Sequence, residues 1–154
     1  MPLTAANIRR VFLEPKPSYV LPEAARLLGM KAKELREWVA AGELEPVETD
    51  EGLVLPWEEL VTFAMGFWEQ EEVEEALGSE LASAIPELLR LTDLEVRLPK
   101  MEIVALERVA ARERKSVDAV LARELLDFVS AHSEWLGADV MAALQWPGGA
   151  VQGA

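Results

Sequence analysis

Residues 18–64 read SYVLPEAARLLGMKAKELREWVAAGELEPVETDEGLVLPWEELVTFA, and this stretch decides the fold of the first half of the chain. Pro22 fits the first turn of a helix, where its missing N–H costs nothing, and Gly29 can take the left-handed conformation that ends the helix. A second helix follows two residues later, because Leu35 and Trp38 recur at helical spacing. Two short helices joined by a tight glycine turn form a helix-turn-helix unit.

The sequence after these helices predicts a small β-hairpin. Two short apolar runs, at 46–48 and 53–55, flank the turn sequence Thr-Asp-Glu-Gly. Pro56 then opens a third helix that continues through Phe67 and Trp68. The predicted order is therefore helix, turn, helix, hairpin, helix.

This order and its motifs resemble MerR/excisionase-type winged helix-turn-helix domains. The shared features are YVLPEAARLLGM, a linking helix with Trp38, AAGEL followed closely by proline, the hairpin, and a helix that starts PWEEL. The likeness covers residues 18–64, about a third of the chain.

In that family the second helix enters the major groove of DNA. By this resemblance Lys31, Lys33 and Arg36 face the duplex, and Arg26 and Lys31 lie nearest the phosphates. Long cations at helical spacing suit this role, because Arg can bridge guanine edges and Lys can neutralise phosphate. The alternative is a solvated helix face, since two glutamates interleave with the same cations.

The predicted wing departs from that family, whose wings are typically basic or neutral. Here it carries Glu48, Asp50 and Glu51. Carboxylates within a Debye length of phosphates, about 8–10 Å in physiological salt, repel them. These three side chains instead suit a basic protein partner.

A strand followed by two helices is predicted from residue 93 onward. Leu94, Val96 and Leu98 alternate with charged residues, which is typical of a half-buried strand, and a proline ends it. Ser116 is a suitable N-cap for the second of the two helices. A lone strand has no partner within the chain, so we expect it to pair with the same strand of a second copy in a homodimer.

This arrangement resembles the ribbon-helix-helix family, whose landmarks include RLP at the end of the strand and KSVD at the start of the second helix. In that family outward-facing strand residues read bases, which implies a DNA contact for Arg97. Lys115 and Ser116, at the start of the second helix, suit a backbone phosphate. Alternatively, the same module serves only for dimerisation.

The predicted fold class is mainly α: a winged helix-turn-helix with a small β-hairpin, followed by a helical C-terminal module with one short strand. The predicted segments are an N-terminal arm (1–17), the winged helix-turn-helix domain (18–68), an acidic helical linker (69–92), a strand-helix-helix dimerisation module with a terminal helix (93–145) and a flexible tail (146–154). In the tail, Trp146 is either a core residue or a docking anchor.

Composition narrows the function classes. The chain has no cysteine, which excludes disulfides and thiolate metal sites. Its one histidine, His132, has no acid at metal-ligand spacing, and the sequence has no phosphate-cradling glycine loop. We therefore predict no catalytic residue, no metal and no cofactor, and a protein that is not an enzyme.

The start, MPLTAANIRRVF, lacks the apolar run of a signal peptide, and no stretch is apolar enough to span a bilayer, so we expect a cytoplasmic protein without membrane contact.

The formal net charge of −13 is distributed unevenly. Residues 1–40 hold seven Lys/Arg against four Asp/Glu, whereas residues 41–80 hold thirteen acids and no base. Because duplex DNA is a dense polyanion, any contact with it must be local and centred on the N-terminal quarter.

Two functions fit these patterns. The first is a homodimeric transcriptional regulator that binds double-stranded DNA. Small proteins that combine such modules are often autoregulating antitoxins, which implies a cognate toxin as a protein partner. The second is a protein-interaction module on a winged-helix scaffold, which binds a basic protein through its acidic wing and linker.

Overall fold

The computed structural model describes residues 4–149, in which helices predominate and one small antiparallel sheet is present. The helices are α1 (Ala5–Leu13), α2 (Leu21–Leu28), α3 (Ala32–Ala40), α4 (Trp57–Phe67), α5 (Gln70–Leu77), α6 (Leu81–Ala84), α7 (Lys100–Glu113), α8 (Val117–Ala131) and α9 (Ala138–Gln145). The strands are β1 (Ser18–Val20), β2 (Val47–Thr49) and β3 (Gly52–Pro56). None of the helices in this range combines the length and the apolar character that crossing a bilayer needs.

The first pair of helices begins and ends where local chemistry predicts. Pro22 lies in the first turn of α2, and Gly29 ends that helix with φ of 77°, a left-handed conformation that glycine adopts without strain. Gly42 takes φ of 83° just after α3. The tight turn between the two helices therefore forms as expected.

The predicted hairpin is confirmed, and a third strand joins it. β2 and β3 pair antiparallel through a two-residue turn, and β1 pairs with the other edge of β3. Tyr19 of β1 lies opposite Leu55, and both side chains are buried. The added strand holds the residues before α2 against the sheet, which fixes where α2 starts.

One apolar core joins α1 to α6, so the predicted acidic linker is not a separate spacer. Val73, Leu77 and Ile85 lie in the same buried cluster as the residues of α2 to α4. The Arg9 guanidinium on α1 donates to the carbonyls of Ala76 and Leu77, at 3.1 and 3.2 Å, and pairs with Glu80. The acids of α5 therefore lie on the exposed face of a helix whose opposite face packs in the apolar core.

α7 and α8 form a helical hairpin with little buried surface of its own. Ala110 and Val120 are the buried residues of these two helices. The Ser116 hydroxyl accepts a hydrogen bond from the Ala119 N–H at 3.1 Å, which confirms the predicted N-cap. Glu113 accepts from Arg123 at 2.6 Å across the hairpin.

The predicted strand at residues 93–98 is wrong for the single chain. Residues 91–99 carry no regular secondary structure, and Leu94 and Val96 are 81% and 51% exposed. A strand exists only where a neighbour takes up its backbone hydrogen bonds, and the described part of the chain places none beside this segment.

The two terminal segments both pack on the core, and only the predicted flexible tail differs from expectation. α1 lies within the arm and buries Ile8, Val11 and Phe12, so this stretch is part of the core. Trp146 stacks on Phe12 with ring centroids 6.5 Å apart and lies edge-on to Trp57, so residues 146–149 are packed and not loose. The rest of the predicted flexible tail, 150–154, lies outside the described residues.

Candidate nucleic-acid interface

A row of cations lies along the exposed side of α3. Lys31 immediately precedes the helix, and Lys33 and Arg36 are three residues apart within it, which makes them neighbours on the helix surface. Arg26 lies in the last turn of α2. All four side chains are exposed, and among residues 4–149 none of them has an ion-pair partner within 4.0 Å. Their charges are available to an anionic ligand.

The packing of α3 sets which residues face outward. Leu35 is fully buried and anchors the helix on the core. Residues 33, 34, 36 and 37 consequently lie on its solvent side, where all are exposed. Lys31, Lys33 and Arg36 supply three positive charges, and Glu34 and Glu37 supply two negative ones. The net charge of this face is therefore only weakly positive. Such a face suits a short-range, directed contact better than bulk attraction.

The β2–β3 hairpin presents carboxylates to solvent. Glu48 lies opposite Leu53, and Asp50 and Glu51 form the turn. The Thr49 hydroxyl donates to the Gly52 carbonyl at 2.9 Å and accepts from the Glu51 N–H at 3.2 Å. This bonding orders the turn, so three exposed acids are held close together.

The cations at the start of α8 face acids of the same chain. Arg114, Lys115 and Ser116 line an open groove of about 300 Å³. The same groove is lined by four glutamates, Glu69, Glu71, Glu72 and Glu75. The Ser116 hydroxyl already caps α8. A phosphate here would meet four carboxylates, so the predicted phosphate contact of Lys115 and Ser116 has poor electrostatic support.

Arg97 lies on the irregular segment 91–99, away from any regular element that would hold it against a base edge. Its side chain is exposed, and within the described residues it makes no ion pair. The predicted DNA contacts therefore fall on three parts of the chain. Only the set on α2 and α3 is carried by two packed helices.

An aromatic cluster beside the cation row was not predicted as a surface feature. Trp38 lies edge-on to Phe63 with ring centroids 5.6 Å apart, and Phe63 stacks on Phe67 at 5.5 Å. Trp38 is 39% exposed and Phe67 48% exposed. The available signal is that the two phenylalanines are four residues apart and therefore share one face of α4.

That the chain has no catalytic residue, metal or cofactor remains a prediction. The His132 ring stacks on Phe128 at 4.4 Å, and its Nδ1 lies 2.8 Å from the Phe128 carbonyl oxygen. In residues 4–149 no three acidic or histidine side chains converge in a way that could hold a metal ion.

Comparison of this chain with protein-family models, curated proteins and solved structures finds no match. Function is therefore inferred from the geometry and charge of the chain's own side chains.

Proposed function

We propose that this chain is a DNA-binding transcriptional regulator that acts as a homodimer, and that α2, α3, the β2–β3 hairpin and α4 form a winged helix-turn-helix. The observation that carries the proposal is the row of exposed cations along α3, none of which has an ion-pair partner within residues 4–149. An α-helix fits the major groove of B-DNA, and a helix packed at a tight turn against a second helix is a rigid reader.

The cations divide by position. Lys33 and Arg36, on the outward face of α3, are placed for base edges, where Arg can bond two acceptors of guanine. Arg26 and Lys31, at the end of α2 and the start of α3, are placed for the phosphates on either side. The large net negative charge weakens non-specific binding, so affinity depends on these few contacts.

The binding target is proposed to be the regulator's own upstream DNA. An autoregulating antitoxin would use the same DNA contact and would hold its toxin through another surface. This part of the proposal follows from the combination of a DNA-binding half and a dimerising half in one small chain.

The test is a binding titration on the upstream duplex between 50 and 200 mM salt. The double variant Lys33→Ala, Arg36→Ala is expected to bind about tenfold or more weakly, since each lost contact is worth about 1–3 kcal/mol. Its salt slope should stay close to that of the wild type, because these two cations are placed for base edges. The variant Arg26→Ala, Lys31→Ala should instead lower the slope by about 0.9 for each phosphate contact removed. The matched control, Arg10→Ala with Arg112→Ala, removes two exposed arginines from α1 and α7. Equal losses in the Lys33→Ala, Arg36→Ala variant and in the control, or no salt-sensitive binding by the wild type, would contradict the proposal.

A second function is favoured by the hairpin acids. Glu48, Asp50 and Glu51 are exposed, adjacent and held by an ordered turn. They would bind a basic protein partner, such as a cognate toxin, with the glutamates of α5 contributing nearby charge. The variant Glu48→Gln, Asp50→Asn, Glu51→Gln separates the two functions. Neutralising the hairpin should strengthen DNA binding if α3 reads DNA, and should abolish co-purification of the partner if the hairpin binds protein.

A further inference from the structure

The C-terminal half exposes several large apolar side chains. Leu94 and Met101 are 81% and 76% exposed, and Phe128 and Leu125 of α8 are about half exposed, at 58% and 48%.

The same region has unused backbone hydrogen-bonding groups. Among residues 4–149, no hydrogen bond is made by the backbone N–H or C=O groups of residues 92–98. The flanking contacts stop at the Leu91 N–H, which donates to Glu74, and at the Pro99 carbonyl, which accepts from α7. Seven residues with free backbone groups and alternating apolar side chains offer an edge on which a second strand can pair.

The charges within residues 93–97 favour the same segment of a second copy as the neighbouring strand, in one particular register. In a two-fold antiparallel pairing, a residue lies opposite the one equally distant on the other side of the axis. With the axis at Val96, Leu94 lies opposite Leu98 of the second copy, and Val96 lies opposite itself. On the other face, Glu95 lies opposite Arg97 of the second copy. By symmetry, Arg97 lies opposite Glu95 of the second copy.

Other registers are worse. An axis at Glu95 places the two copies of that carboxylate face to face, and an axis at Arg97 does the same for two guanidinium groups, which is unfavourable. An axis between two residues places charged side chains opposite apolar ones, because a one-residue slip turns every side chain to the other face. An axis at Glu95 also pairs Leu94 with Val96 and Asp93 with Arg97, but only the Val96 axis matches apolar with apolar and acid with base without opposing two like charges.

We infer that two copies of this chain pair residues 93–99 as antiparallel strands about Val96, with Glu95 of each copy bound to Arg97 of the other. This inference rests on the homodimer of the proposed function and gives that homodimer its register. It also assigns Arg97 a different role. Because Glu95 of the second copy occupies its guanidinium, Arg97 holds the assembly together and does not read bases. With Asp93 on the same face, the paired ribbon carries a net charge of −2, which disfavours contact with DNA.

Cross-linking tests the register, and the natural absence of cysteine makes the test clean. Directly opposed residues in antiparallel strands have Cα atoms about 4.5–5.5 Å apart, within the range of about 4.4–6.8 Å that a disulfide spans. Under mild oxidation the full-length variant Val96→Cys should form a covalent dimer, and Glu95→Cys, its neighbour on the opposite face, should not. Stronger cross-linking of Glu95→Cys would overturn the register.

Sedimentation of the uncross-linked wild type separates the possible failures. If the protein is a dimer but Val96→Cys does not cross-link, the register fails and the homodimer of the proposed function survives. If it is a monomer at all concentrations, both fail. Neither measurement uses DNA, so loss of DNA binding would contradict the proposed function alone.

Charge exchange tests the ion pair. Glu95→Arg and Arg97→Glu each place like charges opposite one another and should each raise the dimer dissociation constant about tenfold. An equimolar mixture of the two variants should recover dimers, because both cross-strand pairs are then of opposite charge. The variant carrying both substitutions should dimerise within about threefold of the wild type. Weakened single variants that neither mixing nor the double substitution rescues would show that these side chains do not pair.

Discussion

Trp38 differs most clearly from the position that its spacing predicts. Helical periodicity places it with Leu35 in the core, yet only Leu35 is fully buried and Trp38 is 39% exposed. α3 is short, and its contact with α2 uses a narrow face. The indole instead lies against Phe63 and Phe67 of α4. Spacing identifies the apolar side of a helix but not how far the neighbouring helix covers it.

Replacing Trp38 with alanine is expected to destabilise the fold by about 1–3 kcal/mol, since each aromatic pair is worth about 0.5–1.5 kcal/mol beyond the apolar area it buries. Urea unfolding measures the change. The matched control is Trp135→Ala, because Trp135 is 79% exposed. It should change stability by less than about 0.5 kcal/mol. Equal effects would mean that the cluster does not stabilise α3 against α4.

Residues whose role depends on their nearest neighbours could be predicted from the sequence. Gly29 ends α2, and Ser116 caps α8 through a bond to the amide three residues on. Whether Ser116 can bind a phosphate could not be predicted from its nearest neighbours. Four glutamates that line the same groove repel a phosphate, and they are more than forty residues away in sequence.

At the scale of elements, helices were predicted better than strands. A helix satisfies its own backbone, so caps and periodicity suffice to find α2, α3, α4 and α8. A strand depends on a partner elsewhere. The hairpin formed as predicted because its partner is two residues away, whereas the segment 91–99 has no described strand beside it.

The α7–α8 hairpin contains a pH-dependent contact. The hydrogen bond from Arg123 lowers the pKa of Glu113 below its usual 4.5, against a smaller opposing effect of burial, and Arg123, Lys115 and Arg112 add favourable charge. Because the folded-state pKa is depressed, the contribution to stability is fully present above about pH 4.5 and is lost as the pH falls through the folded value.

Glu113→Gln should therefore remove part of the fall in thermal stability between pH 6 and pH 3. The measurement is the melting temperature by circular dichroism across that range. Glu107→Gln is the matched control, because Glu107 is exposed on the same helix and has no ion-pair partner among the described residues. If both variants follow the wild-type curve, the contact between Glu113 and Arg123 does not contribute.

At the scale of the whole molecule, residues 41–80 hold thirteen acids and no base. Arg9 pairs with Glu80, and Arg114 and Lys115 line a groove with four of the glutamates, so bases from other segments offset only part of this charge. The mutual repulsion of the acids opposes folding and is screened by salt.

These acids led to the prediction of a linker at residues 69–92. Val73 and Leu77, four residues apart, indicate instead a helix with one buried apolar face. The contact between Arg9 and the end of α5 spans nearly seventy residues and has no local signature.

Raising NaCl from 20 to 200 mM should increase the melting temperature, by about 2–4 °C for each kcal/mol of repulsion that is screened. The same change should weaken the DNA binding that we propose, so the two expected effects of salt have opposite signs. The variant Glu71→Gln, Glu72→Gln, Glu75→Gln should show a smaller rise in melting temperature. A melting temperature independent of salt would mean that these acids do not repel one another appreciably.

The stacking of Phe12 on Trp146 has a consequence for synthesis. Residues 134 positions apart in sequence share one contact, with Trp57 on the other side of the indole. At a translation rate of about 5–20 residues per second, roughly 7 to 27 seconds pass between the two residues. During that interval one flank of Phe12 and the indole-binding side of Trp57 stay uncovered on the nascent chain.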